Sequence, residues 1–433
     1  MTAKTPKSAM VAAMLGTALG QAALAENQIS MVRSDAPELA AFGDYTVGVQ
    51  TRRFVHADQV DIINTTASEM PRYDRPLTVE IWYPAHSGTP QGGTYRAILR
   101  DGKTEVTLSG RAARDAPPHT GDAFPLIVIS HGYPGNRFLM SHLGENLASK
   151  GYVAVSIEHT DSTYSDQGAF GSTLYHRPLD QRFVIDKMAG LDGPLGDIVD
   201  AGNTAVIGFS MGGYGALVYG GAGVTPAAVE ASWSAPNALL ERHLSGSESH
   251  EALIDARVKA IVAIGPWGMN ADIWDDVGLA GLQKPLLLIA GSVDDVSVYA
   301  AIRQIFDETV GTERHLLTFE NANHNAAAPI PAPVESWAPV DNLEFAPAEH
   351  YSDPVWDTVR MNNIAQHFTT AFLDIHLKQD VSRARFLDLV PQSSNGVFAL
   401  DDAGKETADH TYWAGFPART AAGLRFETKA KDQ

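Results

Sequence analysis

Six short apolar runs constrain the fold of this sequence more than any other feature, because each is almost entirely hydrophobic. They are residues 125–130, 152–157, 205–209, 258–264, 285–290 and 315–319. A strand that faces solvent on one side alternates apolar and polar residues, whereas a strand covered on both faces is apolar throughout. Amphipathic helical patterns separate the runs, as in sheets whose strands are joined by helices. The sequence therefore predicts an α/β fold with a mostly parallel central sheet and helices on both faces.

The segments between the runs are predicted from their own spacing. Apolar residues recur at helical intervals over 139–147, 179–188 and 364–375, which predicts three covering helices. Residues 159–178 carry several aromatic side chains and end in a proline, so we expect a long loop there. Near the start of the chain, residues 45–55 and 77–83 alternate apolar and polar side chains and predict an antiparallel pair of strands.

The chain is predicted to form one domain, residues 26–433. Three segments rich in turn residues or proline interrupt its pattern and are expected to be insertions, at about 87–121, 222–257 and 327–355. The tail from about residue 380 has no regular period and is predicted as an irregular extension packed on the core.

The first residues have the order of a signal peptide. Lys4 and Lys7 precede a short apolar stretch, and Ala23 and Ala25 form a small-x-small cleavage site before Glu26. The alternative is a disordered amphipathic leader. No later segment approaches the roughly 20 apolar residues of a membrane-spanning helix. We expect cleavage near Ala25, a mature chain without an integral membrane segment, and a periplasmic or secreted protein.

The charge balance limits the possible partners. The whole chain has a net charge of −19, and the leader holds two lysines and no acid. The remainder therefore has 30 basic and 51 acidic residues and a net charge of −21. Such a surface repels phosphate backbones and anionic lipids, so we expect no nucleic-acid partner. The chain also has no cysteine, and hence neither disulfides nor a thiol nucleophile.

A candidate nucleophile lies where the third apolar run ends, in Gly208-Phe209-Ser210-Met211-Gly212. A strand, a tight glycine-flanked turn and a following helix are what a nucleophile elbow requires. The alternative is a glycine-rich strand–helix junction that only packs. Ser210 is therefore the candidate nucleophile if partners for it follow along the chain.

Such partners follow in the order acid and then base, as in α/β-hydrolases. Asp294 and Asp295 come just after the fifth run, and His324 comes just after the sixth. A histidine can take the serine proton, and a carboxylate can orient that histidine. We favour Asp294 over Asp295 from its spacing, although either could instead cap the helix that starts near Ser297.

Backbone N–H groups are expected to stabilise the oxyanion, one from the residue after the nucleophile and one from an earlier loop. Met211 is the first candidate. Tyr133 is the second, since the neighbouring Pro134 has no N–H to donate. Trp267 follows the fourth run and is either a substrate-stacking wall or a core aromatic.

Glu158, His159 and Asp161 directly follow the second run and could suggest a metal site. No other cluster of His, Asp or Glu has ligand spacing, so support of the local loop is the favoured role. We expect no metal and no cofactor.

Several of these segments resemble known families. Residues 77–84, Ser130-His131-Gly132 and 147–152 resemble platelet-activating-factor acetylhydrolase-like and dienelactone-hydrolase-like proteins. Gly132-Tyr133, Ser210-Met211-Gly212-Gly213 and Pro266-Trp267 resemble bacterial cutinases and polyethylene terephthalate hydrolases. The resemblance implies an α/β-hydrolase fold, oxyanion donors at Tyr133 and Met211, and a Trp267 that lines the acyl subsite.

Together these features predict an exported carboxylic ester hydrolase of the serine carboxylesterase type. Its triad would be Ser210, His324 and Asp294, and its substrate a small-molecule or polymeric ester. Cleavage of polyesters or of phospholipid acyl chains is an alternative within the hydrolases. A non-catalytic α/β-hydrolase-like binding protein is the alternative outside them. The sequence predicts neither the acyl and alcohol specificity nor the oligomeric state.

Overall fold

A ten-stranded sheet forms the centre of the molecule in the computed structural model, which describes residues 27–433. The predicted signal peptide and its cleavage site at Ala25 lie outside the described residues. Strands β3 and β4 form a separate hairpin, and the other ten strands build the sheet. In chain order the strands are β1 (Val47–Val60), β2 (Arg72–Pro84), β3 (Gly93–Ile98), β4 (Glu105–Gly110), β5 (Ala113–Arg114), β6 (Phe124–Ser130), β7 (Val153–Glu158), β8 (Val199–Phe209), β9 (Val258–Ile264), β10 (Leu286–Gly291), β11 (Arg314–Phe319) and β12 (Leu424–Lys429).

The order across the sheet is β12-β11-β10-β9-β8-β6-β7-β2-β1-β5. The six apolar runs of the sequence are β6 to β11, and each is parallel to its neighbours among them. β1 and β2 pair antiparallel, as predicted from their alternation. Because the carboxyl ends of parallel strands meet at one edge, the segments that follow β6, β8, β9, β10 and β11 lie together.

Helices cover both faces of the sheet. They are α1 (Ser141–Ser149), α2 (Phe170–Ala189), α3 (Met211–Gly220), α4 (Pro226–Glu230), α5 (Glu248–Glu251), α6 (Asp276–Ala280), α7 (Tyr299–Glu308) and α8 (Thr358–Lys378). Ile127 and Ile129 of β6 pack in the core that holds α1 and α8. Leu126 and Val128 pack in the core that holds α2, α3 and α7. This alternation between two buried faces explains why residues 126–129 of the strand are all apolar. The predicted fold class is confirmed.

The loop predicted over 159–178 is wrong in its second half, because α2 begins at Phe170 and contains Pro178. A proline inside a helix leaves the carbonyl four residues earlier without its usual N–H partner. Here that carbonyl belongs to Leu174, and it accepts a hydrogen bond from the Tyr214 hydroxyl at 3.0 Å. A tertiary contact thus replaces the lost helical hydrogen bond, and local sequence rules do not reveal it.

The C-terminal extension is more regular than predicted, because it returns to the sheet as β12. Leu424–Lys429 pairs antiparallel with β11 and forms an edge of the sheet. Leu424 and Phe426 point into the core with 1% exposure each, whereas the intervening Arg425 is charged. A six-residue segment with two buried apolar positions is too short for its alternation to predict a strand.

The three predicted insertions have different structures. Segment 87–121 contains the β3–β4 hairpin, and segment 222–257 contains the short helices α4 and α5. Segment 327–355 has 3-10 turns and no strand. No helix within residues 27–433 is long and apolar enough to cross a membrane.

Several histidine side chains are buried in the core, and their burial lowers their pKa. Burial lowers the pKa of each member of one set to about 3, so these side chains are neutral near neutral pH. The buried-histidine set comprises His142, His159, His176, His243 and His367.

Candidate active site

Ser210 lies on a sharp turn between β8 and α3. Its φ of 52° and ψ of −114° are unusual for a residue with a side chain and strain the backbone. Its N–H donates to the carbonyl of Ile264 at 2.9 Å, which ties the turn to the neighbouring strand. A Cβ at Gly208 would lie 2.1 Å from the Gly212 carbonyl oxygen, and one at Gly212 would lie 1.9 Å from that of Ser130. The turn therefore requires glycine at both positions, as an elbow does.

His324 and Asp294 meet at the same edge of the sheet. Nδ1 of His324 is 2.8 Å from Oδ2 of Asp294, whose side chain is fully buried. The other oxygen, Oδ1, accepts hydrogen bonds from the N–H groups of Val296 and Ser297 at 2.9 and 2.8 Å. Asp294 thus both holds the imidazole and caps the turn after β10. Asp295 is exposed and makes no ion pair with His324.

The histidine ring is confined on two sides. Gly265, with a φ of 49°, passes so close that a Cβ there would lie 3.3 Å from Cε1 and Nδ1 of His324. The ring of Phe209 packs against the imidazole with the two centroids 5.0 Å apart. The loop that carries His324 is fastened by Asn325, whose side chain donates to the carbonyls of Glu349 and Ser352. This packing fixes the ring where Asp294 holds it.

Ser210 and His324 line one cavity of about 310 Å³. Within the part of the chain that the structure describes, the Ser210 hydroxyl makes no hydrogen bond, and neither does Nε2 of His324. Catalytic hydrogen bonds in unliganded enzymes are often long and shorten when substrate binds. Both groups are therefore free to act on a molecule in the cavity.

The candidate oxyanion donors have free N–H groups. No acceptor among residues 27–433 takes the N–H of Tyr133 or of Met211. The carbonyl of Gly132 belongs to the same peptide group as the Tyr133 N–H, and it accepts from Nδ1 of His131 at 2.7 Å and from Arg177 at 3.3 Å. Because a peptide group is planar and its N–H and C=O point in opposite directions, these contacts also fix the direction of the Tyr133 N–H.

Arg177 anchors this loop from a fully buried position, with 1% exposure. Besides Gly132, its guanidinium donates to the carbonyl of His131 and to the hydroxyl of Ser162. Burial lowers its pKa to about 9, so it stays charged at neutral pH. Sequence reasoning missed Arg177 because it falls in the segment predicted as a loop.

A second buried network lies next to it. Arg75 forms a two-point ion pair with Asp180, with both N–O distances 3.0 Å. Asp180 also accepts from Nδ1 of His159 at 2.9 Å, and Nε2 of His159 is 2.9 Å from the Ser130 hydroxyl. His159 thus serves loop support, the role favoured over metal binding. No group of three His, Asp or Glu side chains in residues 27–433 is arranged to hold a metal ion.

Parts of this sequence are similar to known proteins. The family model described as "PETase: PET hydrolase-like" matches residues 106–241. Cutinase est1 of Thermobifida alba is 24% identical over 211 residues, which cover 48% of this chain and 56% of the cutinase. Bis(hydroxyethyl) terephthalate hydrolase of Streptomyces coelicolor is 25% identical over 222 residues, which cover 51% and 56%. The chain thus spans about half the length of these relatives.

Two further matches extend the comparison. Platelet-activating factor acetylhydrolase of Bos taurus is 38% identical over 71 residues, 16% of this chain and 15% of that protein. The solved structure of a ferulic acid esterase from Streptomyces cinnamoneus aligns with a TM-score of 0.55 at 21% identity and covers 82% of this chain and 94% of its own. The chain has the α/β-hydrolase fold. The predicted resemblance is confirmed at this level, and the likeness to the solved structure shows the fold.

The walls of the cavity at Ser210 include residues that sequence reasoning did not select. Arg100 comes from the β3–β4 hairpin, and Phe345, Glu349 and His350 come from segment 327–355. Two insertions far apart in the sequence meet over the cavity, and no local pattern predicts such a contact.

Trp267 does not line this cavity. It is half-buried and packs on Phe170 and Trp233, with ring centroids 5.1 and 6.2 Å away. Phe170 in turn contacts the ring of Tyr133 at 5.5 Å. The backbone N–H of Trp267 donates to the Ser210 carbonyl at 3.2 Å. Trp267 therefore contacts the Ser210 turn through its backbone. Through the ring of Phe170 it also reaches the loop of the candidate oxyanion donor Tyr133, residues 131–135, which we call the oxyanion loop.

Proposed function

We propose that this protein is a serine carboxylesterase with Ser210 as nucleophile, His324 as base and Asp294 as the acid that orients it. The contact between Nδ1 of His324 and Oδ2 of Asp294, beside the cavity that also holds Ser210, carries this proposal. The hydrolase and esterase names of the relatives support it. So does the elbow conformation of Ser210, since a packing junction does not need a strained serine.

The reaction proceeds through an acyl-enzyme. His324 takes the proton of the Ser210 hydroxyl at Nε2 while Oγ attacks the ester carbonyl carbon. The N–H groups of Tyr133 and Met211 donate to the oxyanion that forms, and Asp294 stabilises the imidazolium through Nδ1–H. The intermediate collapses as His324 protonates the departing alcohol. A water, deprotonated by His324, then attacks the acyl group and releases the acid and the free serine.

The protein is also proposed to be exported, as one domain that begins near Glu26. The charged, apolar and small-residue order of the first 25 residues supports export. Its substrate is a neutral or charged small ester, because the cavity of about 310 Å³ has the size of a pocket for one small ligand.

The test of this function is the Ser210→Ala variant with p-nitrophenyl butyrate as substrate. The expected result is a loss of kcat on the order of 10⁶-fold, as for other triad nucleophiles. Ser68→Ala is the matched control, since Ser68 is exposed in the turn between β1 and β2. Circular dichroism checks that both variants fold. Full activity in folded Ser210→Ala would refute the assignment.

Polyester cleavage is a second candidate, favoured by the names of the relatives and by the PET hydrolase-like match. Against it, the hairpin of Arg100 and segment 327–355 wall the cavity and narrow the space for a polymer chain. Release of soluble acid from a polyester film, compared with a soluble diester of the same acid, separates the two. A rate of acid release from the film close to the rate of hydrolysis of the soluble diester would favour polyester cleavage as the function.

A further inference from the structure

Arg100 occupies a fixed position on the wall of the candidate active site. It stands in the turn between β3 and β4, beside Asp101, whose Oδ1 accepts from the N–H groups of Lys103 and Thr104 at 3.1 and 2.9 Å. The side chain of Asn342 donates to the Asp101 carbonyl at 2.8 Å and joins the turn to segment 327–355. The backbone that carries Arg100 is therefore held from both sides.

The guanidinium of Arg100 has no polar partner in the described part of the chain. It makes no ion pair and no hydrogen bond, and it lies over the ring of Phe345 with its central carbon 5.7 Å from the centroid. Arg137, by contrast, pairs with both Glu80 and Glu158. An arginine offers five N–H donors in a planar fork that matches a carboxylate. Arg100 and Phe345 both line the cavity that Ser210 lines, so these donors are unpaired at its wall.

His350 supplies a second free polar group in the same cavity. Its Nε2 is buried and has no hydrogen-bond partner among residues 27–433. Burial, together with the charges of Arg100 and His324, lowers the pKa of His350 to about 3. The ring is neutral near neutral pH, so one of its nitrogens can donate a hydrogen bond without adding charge. Of the two, Arg100 has donors left unused at the wall of the cavity where a substrate would lie.

We propose that Arg100 binds a carboxylate on the substrate, so that the enzyme prefers half-esters of dicarboxylic acids over neutral esters of equal length. This rests on the proposed esterase function and names its substrate class. Charge-assisted arginine–carboxylate contacts are short and often two-pronged, which gives both affinity and orientation. The bound carboxylate would hold the scissile carbonyl at a set distance from Ser210.

Two carboxylates, Asp295 and Glu349, also line the cavity and act against an anion. Both residues are exposed, and neither pairs with Arg100. Water and salt screen exposed charges strongly, whereas a direct contact with a half-buried guanidinium is screened less. The contact with Arg100 therefore dominates. If the acids dominated instead, the enzyme would prefer esters that carry a positive charge.

The experiment compares kcat/KM for mono-p-nitrophenyl esters of succinic, adipic and suberic acids with the neutral esters of the same chain length. A choline-type cationic ester is included, and spontaneous hydrolysis is subtracted. We expect a preference for the anionic ester in at least one length. In Arg100→Gln the anionic-to-neutral ratio at that length should fall about tenfold or more, which is the scale of one charged hydrogen bond. Arg100→Lys should retain part of the preference for the anionic ester, and added salt should weaken this preference in the wild type.

Arg96→Gln is the matched control, because Arg96 lies on the same hairpin, has a 76% exposed side chain and pairs with Glu105. Its anionic-to-neutral ratio should equal that of the wild type. Equal rates for anionic and neutral esters at every length, or a ratio that Arg100→Gln leaves unchanged, overturn the inference. A preference for the cationic ester does so as well. These outcomes differ from a failure of the esterase function, in which the wild type would hydrolyse none of the esters through Ser210.

Discussion

Replacing Arg177 by methionine tests whether the oxyanion loop is held as the geometry indicates. Methionine has similar length but no donors, so the carbonyls of His131 and Gly132 lose their bonds to the guanidinium. The Tyr133 N–H then loses part of what fixes its direction. Loss of one oxyanion donor costs roughly 10²–10³-fold in kcat. Because Nδ1 of His131 still holds the Gly132 carbonyl, we expect the lower value, about 100-fold.

The same substitution also has a cost in stability. Each buried polar group left without a partner costs about 1–3 kcal/mol, and Arg177 serves three acceptors. Water can enter near the cavity and satisfy some of them, so a loss of about 3 kcal/mol is expected. Calorimetry measures this loss separately from the kinetics. The kinetic test applies only if Arg177→Met is folded at the assay temperature, because unfolding would also lower kcat.

The assay is steady-state hydrolysis of p-nitrophenyl butyrate together with inhibition by a boronic acid that mimics the tetrahedral intermediate. We expect kcat and the affinity for the boronic acid to fall together while KM changes little. Arg177→Lys keeps a charge and a donor and should recover part of the rate. Arg182→Met is the control, since Arg182 lies further along α2 and bonds only to the Ala252 carbonyl. An unchanged kcat in folded Arg177→Met, or a change in KM alone, would refute the reasoning.

Asp294, Gly265 and the buried-histidine set each give a further testable prediction. Asp294→Asn should lower kcat by roughly 10³–10⁴-fold, and Asp295→Asn by less than about tenfold, because only Asp294 bonds to His324; equal losses would contradict the assignment. Gly265→Ala should lower kcat roughly tenfold, since its φ is 49° and the new Cβ would press on the imidazole; unchanged kinetics would count against that contact. The five members of the buried-histidine set have a folded pKa of about 3, below the unfolded value of 6.5. Below pH 6.5 the unfolded chain therefore binds more protons than the folded one, and the free energy of unfolding decreases as the pH is lowered. At pH 5.5 each should cost about 1 kcal/mol, and calorimetry should find a Tm roughly 6 °C below that at pH 7.5; a constant Tm would contradict this.

The parts of the fold that the sequence predicts are those with a strong local signal. The six apolar runs appear as β6 to β11, because burial on both faces favours nearly continuous hydrophobicity. The positions of Ser210, Asp294 and His324 follow from the same runs, since each residue comes just after a strand's carboxyl end. The spacing that favoured Asp294 over Asp295 agrees with the hydrogen bond to His324.

The parts that were missed depend on distant contacts. Pro178 stays inside a helix because Tyr214, 36 positions later, bonds to the carbonyl that the proline leaves free. β12 forms because β11 offers an unpaired edge more than 100 residues before it. Arg100 reaches the cavity because two insertions meet there. None of these depends on the pattern of neighbouring residues, so local rules could not predict them.

The most direct test of the central claim is to trap the covalent intermediate. The protein is treated with a fluorophosphonate, which reacts with activated serines, and the site of the adduct is mapped by mass spectrometry of its peptides. A single adduct is expected on Ser210, and the Ser210→Ala variant should carry none. An adduct on another serine, or none in a preparation that hydrolyses esters, would contradict the account.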